Sequence, residues 1–356
     1  MKKLLAMVLS IALVLTAVSF AAAETAASTK PIKIGMEIYD PTDQEFLALK
    51  DYFDNYLSPA MNITFVYSEA LSDADGEAAF IDNCAAAGCD AIMGYYNVAG
   101  AEAAWRAIEN GMYYTYGDKQ MWEELKAEPL YLGALTYGEN GDFEAGYAMG
   151  KYLADAGCKK IVYSNGAADF GVEMFINRGA GFAAGAGDAE IITVSGFPGN
   201  DAFSSQQNSA LTTQGVDAVA TSFNALSGWA QPVAAAGINV PLATIGVVSE
   251  DFVNALNGGQ ISLLVAANIQ RYGLQIATIY QAINGTKIVD ENGFAPMYNQ
   301  GYLVIDNGAD CAAYAELMNG ERVYTAEELM GCTSYERLTE LAASFSLEDV
   351  TARHAK

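Results

Sequence analysis

The 356-residue chain holds a single histidine, His354, close to its C-terminal end. Chain ends fray and make poor supports for chemistry. A Ser–His–Asp triad, an HExxH zinc site or a Cys–His dyad would need this residue on a rigid frame, so all three are disfavoured. Bases are also scarce: 18 Lys+Arg stand against 43 Asp+Glu, a formal net charge of −25. So acidic a chain repels phosphate backbones and anionic headgroups, which argues against nucleic-acid binding and polybasic membrane docking. Charged residues are nevertheless only 17% of the chain and hydrophobic ones 52%. That composition excludes a disordered acidic tail and points to a globular protein, with a length suited to two domains.

Cysteine is sparse too, and no C-x-x-C occurs, which weighs against zinc ribbons and thioredoxin-like sites. The five cysteines are Cys84, Cys89, Cys158, Cys311 and Cys332, an odd count that leaves at least one thiol free. Cys89 and Cys158 each follow a glycine that ends a helical run, and buried packing is expected of them. Cys311 and Cys332 are the pair expected to join if any does. No G-x-S-x-G or Walker sequence is present. The run Gly179–Gly185 (GAGFAAG) resembles a dinucleotide loop, but its third glycine falls one position late and it lies inside a helical run that precedes a strand. No cofactor, metal ion or catalytic residue is therefore assigned. Acids are too widespread to single out a pair for glycoside hydrolysis.

What is present begins with a leader. Lys2 and Lys3 precede an apolar run from Leu4 to Phe20, and Ala21-Ala22-Ala23 fits a signal-peptidase site before Glu24. Residues 1–23 read as a cleaved secretory signal and 24–30 as a linker. An uncleaved anchor is the other reading, because Leu4–Ala23 is nearly long enough to span a bilayer. No cysteine near the end of the run offers a lipid attachment point.

After the linker, strands alternate with helices; Pro41-Thr42-Asp43-Gln44 opens a helix that runs through Leu57, with Thr42 as its expected N-cap. Ile32–Tyr39, Asn62–Ser68, Ala91–Tyr95, Met112–Tyr116 and Tyr131–Thr136 read as strands; Lys160–Ser164, Ile191–Ser195, Ala218–Ser222 and Pro241–Gly246 continue the series. A helix, a glycine and a short apolar strand recur as AAAGCDAIMG, ADAGCKKIVY, TTQGVDAVAT and AAAGINVPLAT. The glycine suits a left-handed C-cap that turns the chain into the next strand. Such alternation predicts parallel sheets with right-handed crossovers. The fold class is α/β, with two Rossmann-like lobes because about ten strands are too many for one comfortable sheet.

Open parallel sheets bind ligands beyond the carboxyl ends of their strands. The first lobe places Tyr39, Asp40, Asp43, Gln44 and Phe46, then Tyr95, Tyr96 and Asn97, then Tyr116, Asp118, Lys119 and Gln120 at such ends. The second places Asn165, Asp169 and Phe170, then Phe197 and Asn200, then Phe223 and Asn224, then Ser249 and Glu250. Rings beside carboxylates and amides suit a small polar ligand with apolar faces.

The segments IKIGMEIYDPTDQEF, GCDAIMG, TYGDKQ, GYAMGKYLADAGCKKIVY and NRGAGF, in this order, resemble the type I periplasmic binding proteins of sugar ABC transporters over residues 31–306. The resemblance implies an N-terminal lobe (31–135 plus 268–296) and a C-terminal lobe (138–266 plus 300–306). It implies three crossings between them, near Leu135–Gly138, Val265–Asn268 and Met297–Gly301. Residues 307–356 form a helical extension. The implied function is an exported solute-binding protein, periplasmic or cell-surface, that closes on a small polar ligand, a sugar foremost, and delivers it to an ABC transporter permease. No nucleic acid or further cofactor is implied, and a monomer is expected. The resemblance assigns ligand contacts to Tyr39, Asp40, Asp43, Phe46, Asp118, Arg178 and Asn268. Lys119 stands where ribose-type binders often have Arg, and Ser222, Phe223 and Asn224 cover a position usually held by Asn. Tyr95 joins the set as a ring at a strand end. The family's Asp near position 248 is missing: Val247, Val248 and Ser249 stand there, with Glu250 next. A sensory binding protein for a nucleoside or other small ligand, presented to a membrane receptor, is the alternative; a glycoside-active enzyme is a more distant one.

Overall fold

The computed structural model describes residues 30–138 and 140–355. The leader and all of the linker except Lys30 lie outside them. Strands β1 (Ile32–Ile38), β2 (Ile63–Ala70), β3 (Ala91–Gly94) and β4 (Tyr113–Thr115) form a parallel sheet in the order β2-β1-β3-β4. Ile34 pairs with Phe65 on one side and Ala91 on the other. Ile32, Ile34, Met36 and Ile38 are all fully buried, as the inner strand of a sheet covered on both faces requires.

The second sheet holds six strands. After β5 (Ala134–Thr136) come β6 (Lys160–Ser164), β7 (Glu190–Val194), β8 (Ala218–Thr221), β9 (Leu242–Val247) and β10 (Leu263–Ala267). The later strands are β11 (Met297–Asn299) and β12 (Leu303–Ile305). The order is β12-β10-β9-β8-β6-β7, with β12 antiparallel to β10 and the other neighbours parallel. Strands β5 and β11 pair only with each other, in parallel. The helix Gly273–Ile283 follows β10 and packs on β4 and β5, against the first sheet.

The recurring glycines do what their position in the sequence predicts. After the helix Ala74–Ala86, Gly88 has φ +74°; its N–H donates to the Ala85 carbonyl (3.0 Å) and that of Cys89 to Cys84 (2.9 Å). Gly157 (φ +86°) repeats the motif after the helix Gly141–Asp155, with Cys158 N–H donating to the Leu153 carbonyl at 3.1 Å. This Schellman geometry satisfies two otherwise orphaned carbonyls and redirects the chain. Cys89 and Cys158 are buried behind it, as expected.

The GAGFAAG run is a packing surface. It lies in the helix Glu173–Ala186, which packs along the helix Gly141–Asp155. A Cβ on Gly146 would stand 1.9 Å from the Arg178 carbonyl oxygen; on Gly150, 2.3 Å from that of Phe182; on Gly181, 1.9 Å from that of Phe143; on Gly185, 2.3 Å from that of Tyr147. Glycines at i, i+4 on each helix thus bring the two backbones into contact.

Three local expectations change. The first helix is capped by Asp43, whose Oδ1 accepts from Phe46 N–H at 3.0 Å, and not by Thr42. Thr42 is already engaged, donating its N–H and hydroxyl to Asp40 at 2.8 and 2.7 Å. The helix read through to Leu57 is α-helical only over Gln44–Asp51 and continues as a π-helix over Tyr52–Leu57. Cys311 and Cys332 do not join: all five cysteines are free and buried. Cys311 lies in the helix Gly308–Asn319, which packs on the helix Glu250–Asn257, whereas Cys332 follows the helix Ala326–Met330, which packs on Gly273–Ile283. Burial pushes their thiols up, to about 11 and about 12, so both are inert packing groups.

The C-terminal extension follows β12. It comprises Gly308–Asn319, Ala326–Met330, Tyr335–Ala343 and Leu347–His354. No described helix is long and apolar enough to cross a membrane.

Candidate functional site

Two cavities lie between the sheets, each lined from both sides. One, of about 320 Å³, is bounded by Asp43, Gln44 and Glu45 after β1. Met174, Arg178, Asn224, Ile245–Val247 and Ala267 at the end of β10 face them from the second sheet's side, and Tyr137 and Tyr302 come from the segments beside β5 and β12. The other, of about 470 Å³, is lined by Asp118, Lys119, Thr136 and Asn299 together with Asn140–Phe143, Glu173 and Asn177.

Arg178 stands at the boundary. It is buried, and all its hydrogen-bond partners come from other elements: Nε donates to Asp142 Oδ1 (2.9 Å), Nη1 to the Ser222 carbonyl (2.9 Å) and Nη2 to the Tyr302 hydroxyl (3.0 Å). Tyr302 in turn donates to Asp142 Oδ1 at 3.0 Å. Burial works against the guanidinium charge, but Tyr302 and Asp142 outweigh it and hold the group above its ordinary value. The close approach of the two glycine-rich helices makes the node possible, since Asp142 sits on one and Arg178 on the other.

A second guanidinium lies deeper. Arg271, in the turn Ile269–Tyr272 after β10, is buried with its guanidinium carbon 3.7 Å from the ring centre of Tyr137. Tyr137 stacks on Tyr302 with centroids 4.3 Å apart and planes 8° from parallel. Arg271 Nε and Nη1 are buried without a hydrogen-bond partner; the ring face supplies the electrostatic contact instead. Glu45 faces this group. Burial pushes its carboxyl up to about 7; Asp43 adds to the shift, while Arg271 and Arg178 oppose it.

Asp43, Arg178 and Asn224 meet in the smaller cavity, and Asp118 and Lys119 in the larger. Several are also structural. Asp118 caps its helix by accepting from Met121 N–H at 2.8 Å, and Asn224 accepts from Leu226 N–H at 2.9 Å. The other expected residues line neither cavity. Tyr39 is 58% exposed and meets Tyr96 edge-on at 5.0 Å. Asp40 is held below the usual carboxylate range by its bonds from Thr42. Phe46 is 2% exposed and packs on Tyr67 and Tyr95, so it is a core residue. Tyr95 lies between Phe46 and Tyr272, and Phe223 packs on Phe197 at 5.1 Å. Asn268 is fully buried and donates to Gln300 Oε1 at 3.0 Å, which places it inside the connecting segments.

Five site residues were not singled out from the sequence: Glu45, Tyr137, Asp142, Arg271 and Tyr302. Tyr137 falls within a predicted crossing, and Tyr302 directly follows another. That adjacency is the one available signal, because nothing in the local sequence aims their rings. The carboxylates, amide and guanidinium, set among Met174, Ile245 and Val247, give the donor and acceptor mixture that suits hydroxyl groups on an apolar ring. Among the described residues, no group of three or more His, Cys, Asp or Glu is placed to hold a metal ion.

No protein-family model and no curated relative matches the sequence. Solved structures do match. A carbohydrate transporter from Acidothermus cellulolyticus in complex with myo-inositol aligns with 85% of this chain and 100% of its own, at TM-score 0.61 and 17% identity. An ABC transporter periplasmic solute-binding protein from Actinobacillus succinogenes with bound D-allose gives 80%, 99%, 0.64 and 16% on the same measures. The periplasmic binding component of a Shewanella arabinose ABC transporter, bound to L-arabinofuranose, gives 81%, 96%, 0.61 and 16%. At such identities the likeness speaks for architecture, and with the two sheets and their connections it establishes that this chain has the α/β fold of the type I periplasmic binding proteins.

Proposed function

We propose that the chain is an exported solute-binding protein that captures a small polar ligand, a sugar foremost, between its lobes and delivers it to an ABC importer. The observation that carries this reading is the Arg178–Asp142–Tyr302 node. It sets oriented hydrogen-bonding groups, Arg178 buried and Asp142 and Tyr302 half-buried, at the boundary of two cavities that are each lined from both sheets' sides. A ligand bridging those walls has more contacts when the lobes are together and so shifts the population toward closure. The fold neighbours bind myo-inositol, D-allose and L-arabinofuranose, which makes pentoses, hexoses and cyclitols the first compounds to try.

A thermal-shift screen over sugars, cyclitols, nucleosides and amino acids tests the reading. A ligand present at about 100 times its Kd adds roughly 2.7 kcal/mol. For a chain of this size that raises Tm by several degrees. A sugar or cyclitol hit that calorimetry then shows to be released unchanged supports the proposal. Stabilisation by none of the four classes removes it.

A further inference from the structure

We propose that the C-terminal extension, residues 307–355, is a strap buckled across the hinge that restrains lobe opening. This goes beyond the binding reading and does not depend on any ligand. The extension grips both lobes. Its helix Gly308–Asn319 packs on Glu250–Asn257 of the second lobe, closely enough that a Cβ on Gly308 would stand 2.2 Å from Asn257 Oδ1. Its helix Ala326–Met330 packs on Gly273–Ile283 of the first, where Gln281 Nε2 donates to the Met330 carbonyl at 2.6 Å. Two first-lobe tyrosines add to that grip: Tyr52 donates to the Tyr324 carbonyl (2.8 Å), and the Tyr56 hydroxyl accepts from Ala326 N–H (3.1 Å).

Between these anchors the strap is bonded to the crossings themselves. Gln270, just past the second crossing, donates to the Met318 carbonyl (2.7 Å) and accepts from Val323 N–H (2.7 Å). Gln300, in the third, accepts from Asn268, donates to the Ala342 carbonyl (3.2 Å) and donates to the Tyr324 hydroxyl. The Tyr324 hydroxyl donates in turn to the Leu341 carbonyl at 3.0 Å. The strap is closed on itself by Arg353, which donates to the carbonyls of Val323 (2.7 Å) and Ser344 (3.1 Å) and pairs with Glu328. All of these bonds are made in one arrangement of the crossings. Gln270, Gln300 and Tyr324 are buried, so a rotation that separates the lobes must break bonds that water does not replace at once.

Single-molecule FRET on the ligand-free protein decides the matter. Asp75→Cys and Asp188→Cys are exposed positions on the two lobes, and the native cysteines are all buried. The variants are Tyr324→Phe, Gln270→Leu and Gln300→Leu. Each hydrogen bond lost should raise the low-FRET, open population by about fivefold. An unchanged FRET distribution in a folded variant overturns the proposal, including the case in which Tm falls but the lobes do not separate. Should either leucine variant fail to fold, Tyr324→Phe alone decides, since it removes one hydroxyl and keeps the ring. A failed ligand screen would leave this measurement untouched.

Discussion

At the residue scale, Arg178 and Glu45 carry the sharpest expectations. Arg178 is a fork with every arm used, so Arg178→Ala should weaken binding of the ligand found in the screen by roughly 1.5–3 kcal/mol, the range for hydrogen bonds to charged groups. Arg178→Lys should recover little of this, because a point charge cannot serve three partners in one plane. Isothermal calorimetry on both variants measures it, and unchanged affinity in both would take Arg178 out of the site. Glu45 and the buried Glu37 set a pH dependence. Burial pushes both carboxyls up, Glu45 to about 7 and Glu37 well above its ordinary value. The folded state therefore holds protons that the unfolded state has released above about pH 4.3. The contribution of these two groups to stability is therefore greatest at and below that value and falls as pH rises toward 7 and beyond. Glu45→Gln should raise Tm at pH 8 and leave it nearly unchanged at pH 4.5. An equal effect at both pH values would contradict the assignment.

At the scale of elements, the two glycine-rich helices determine where Arg178 and Asp142 meet. Gly146→Ala drives a methyl into a backbone carbonyl, and overpacking of this kind costs about 1–3 kcal/mol. Gly179, two residues before Gly181, has only Tyr163 near its missing Cβ, at 3.7 Å. Gly179→Ala should therefore be neutral or stabilise by up to about 1 kcal/mol through helix propensity. Urea denaturation of the two variants separates a packing surface from a run of incidental glycines. The same helices show what local sequence conveys. The stop of the first, at Gly157, and the strand that follows it were legible because a Schellman turn needs a glycine at one place. Strand β10 was not marked as a strand, because LLVAA is a short apolar run with no alternation of its own, and only its pairing with β9 and β12 defines it. Thr42 looked like a cap, but the helix begins at Gln44, so the residue beside its first turn is Asp43, whose carboxylate accepts from Phe46 N–H.

At the scale of the molecule, a net charge of −25 acts on two lobes that the proposed function brings together. Self-repulsion of that size should make Tm rise as NaCl is increased from 0.05 to 0.5 M, because screening shortens the Debye length to a few ångströms. Affinity for a neutral sugar should change little over the same range, since no ligand charge is screened. A salt-independent Tm would mean that the acids are spread too thinly to interact.

The pattern of residues along the chain by itself determined the α/β class, the order of most elements, and the buried setting of Cys89 and Cys158. These follow from local physics: glycine at left-handed caps, apolar runs in parallel strands, and helices alternating with them. Only the tertiary structure decided which strand-end residues share a cavity. It placed Phe46 and Asn268 inside the protein, left Cys311 and Cys332 in segments that pack against different partners, and brought Arg271, Tyr137 and Tyr302 into one stack from three separate stretches of chain. The reason is distance along the chain: Tyr137 and Tyr302 meet only after two sheets have folded, and no local preference of either residue records the other.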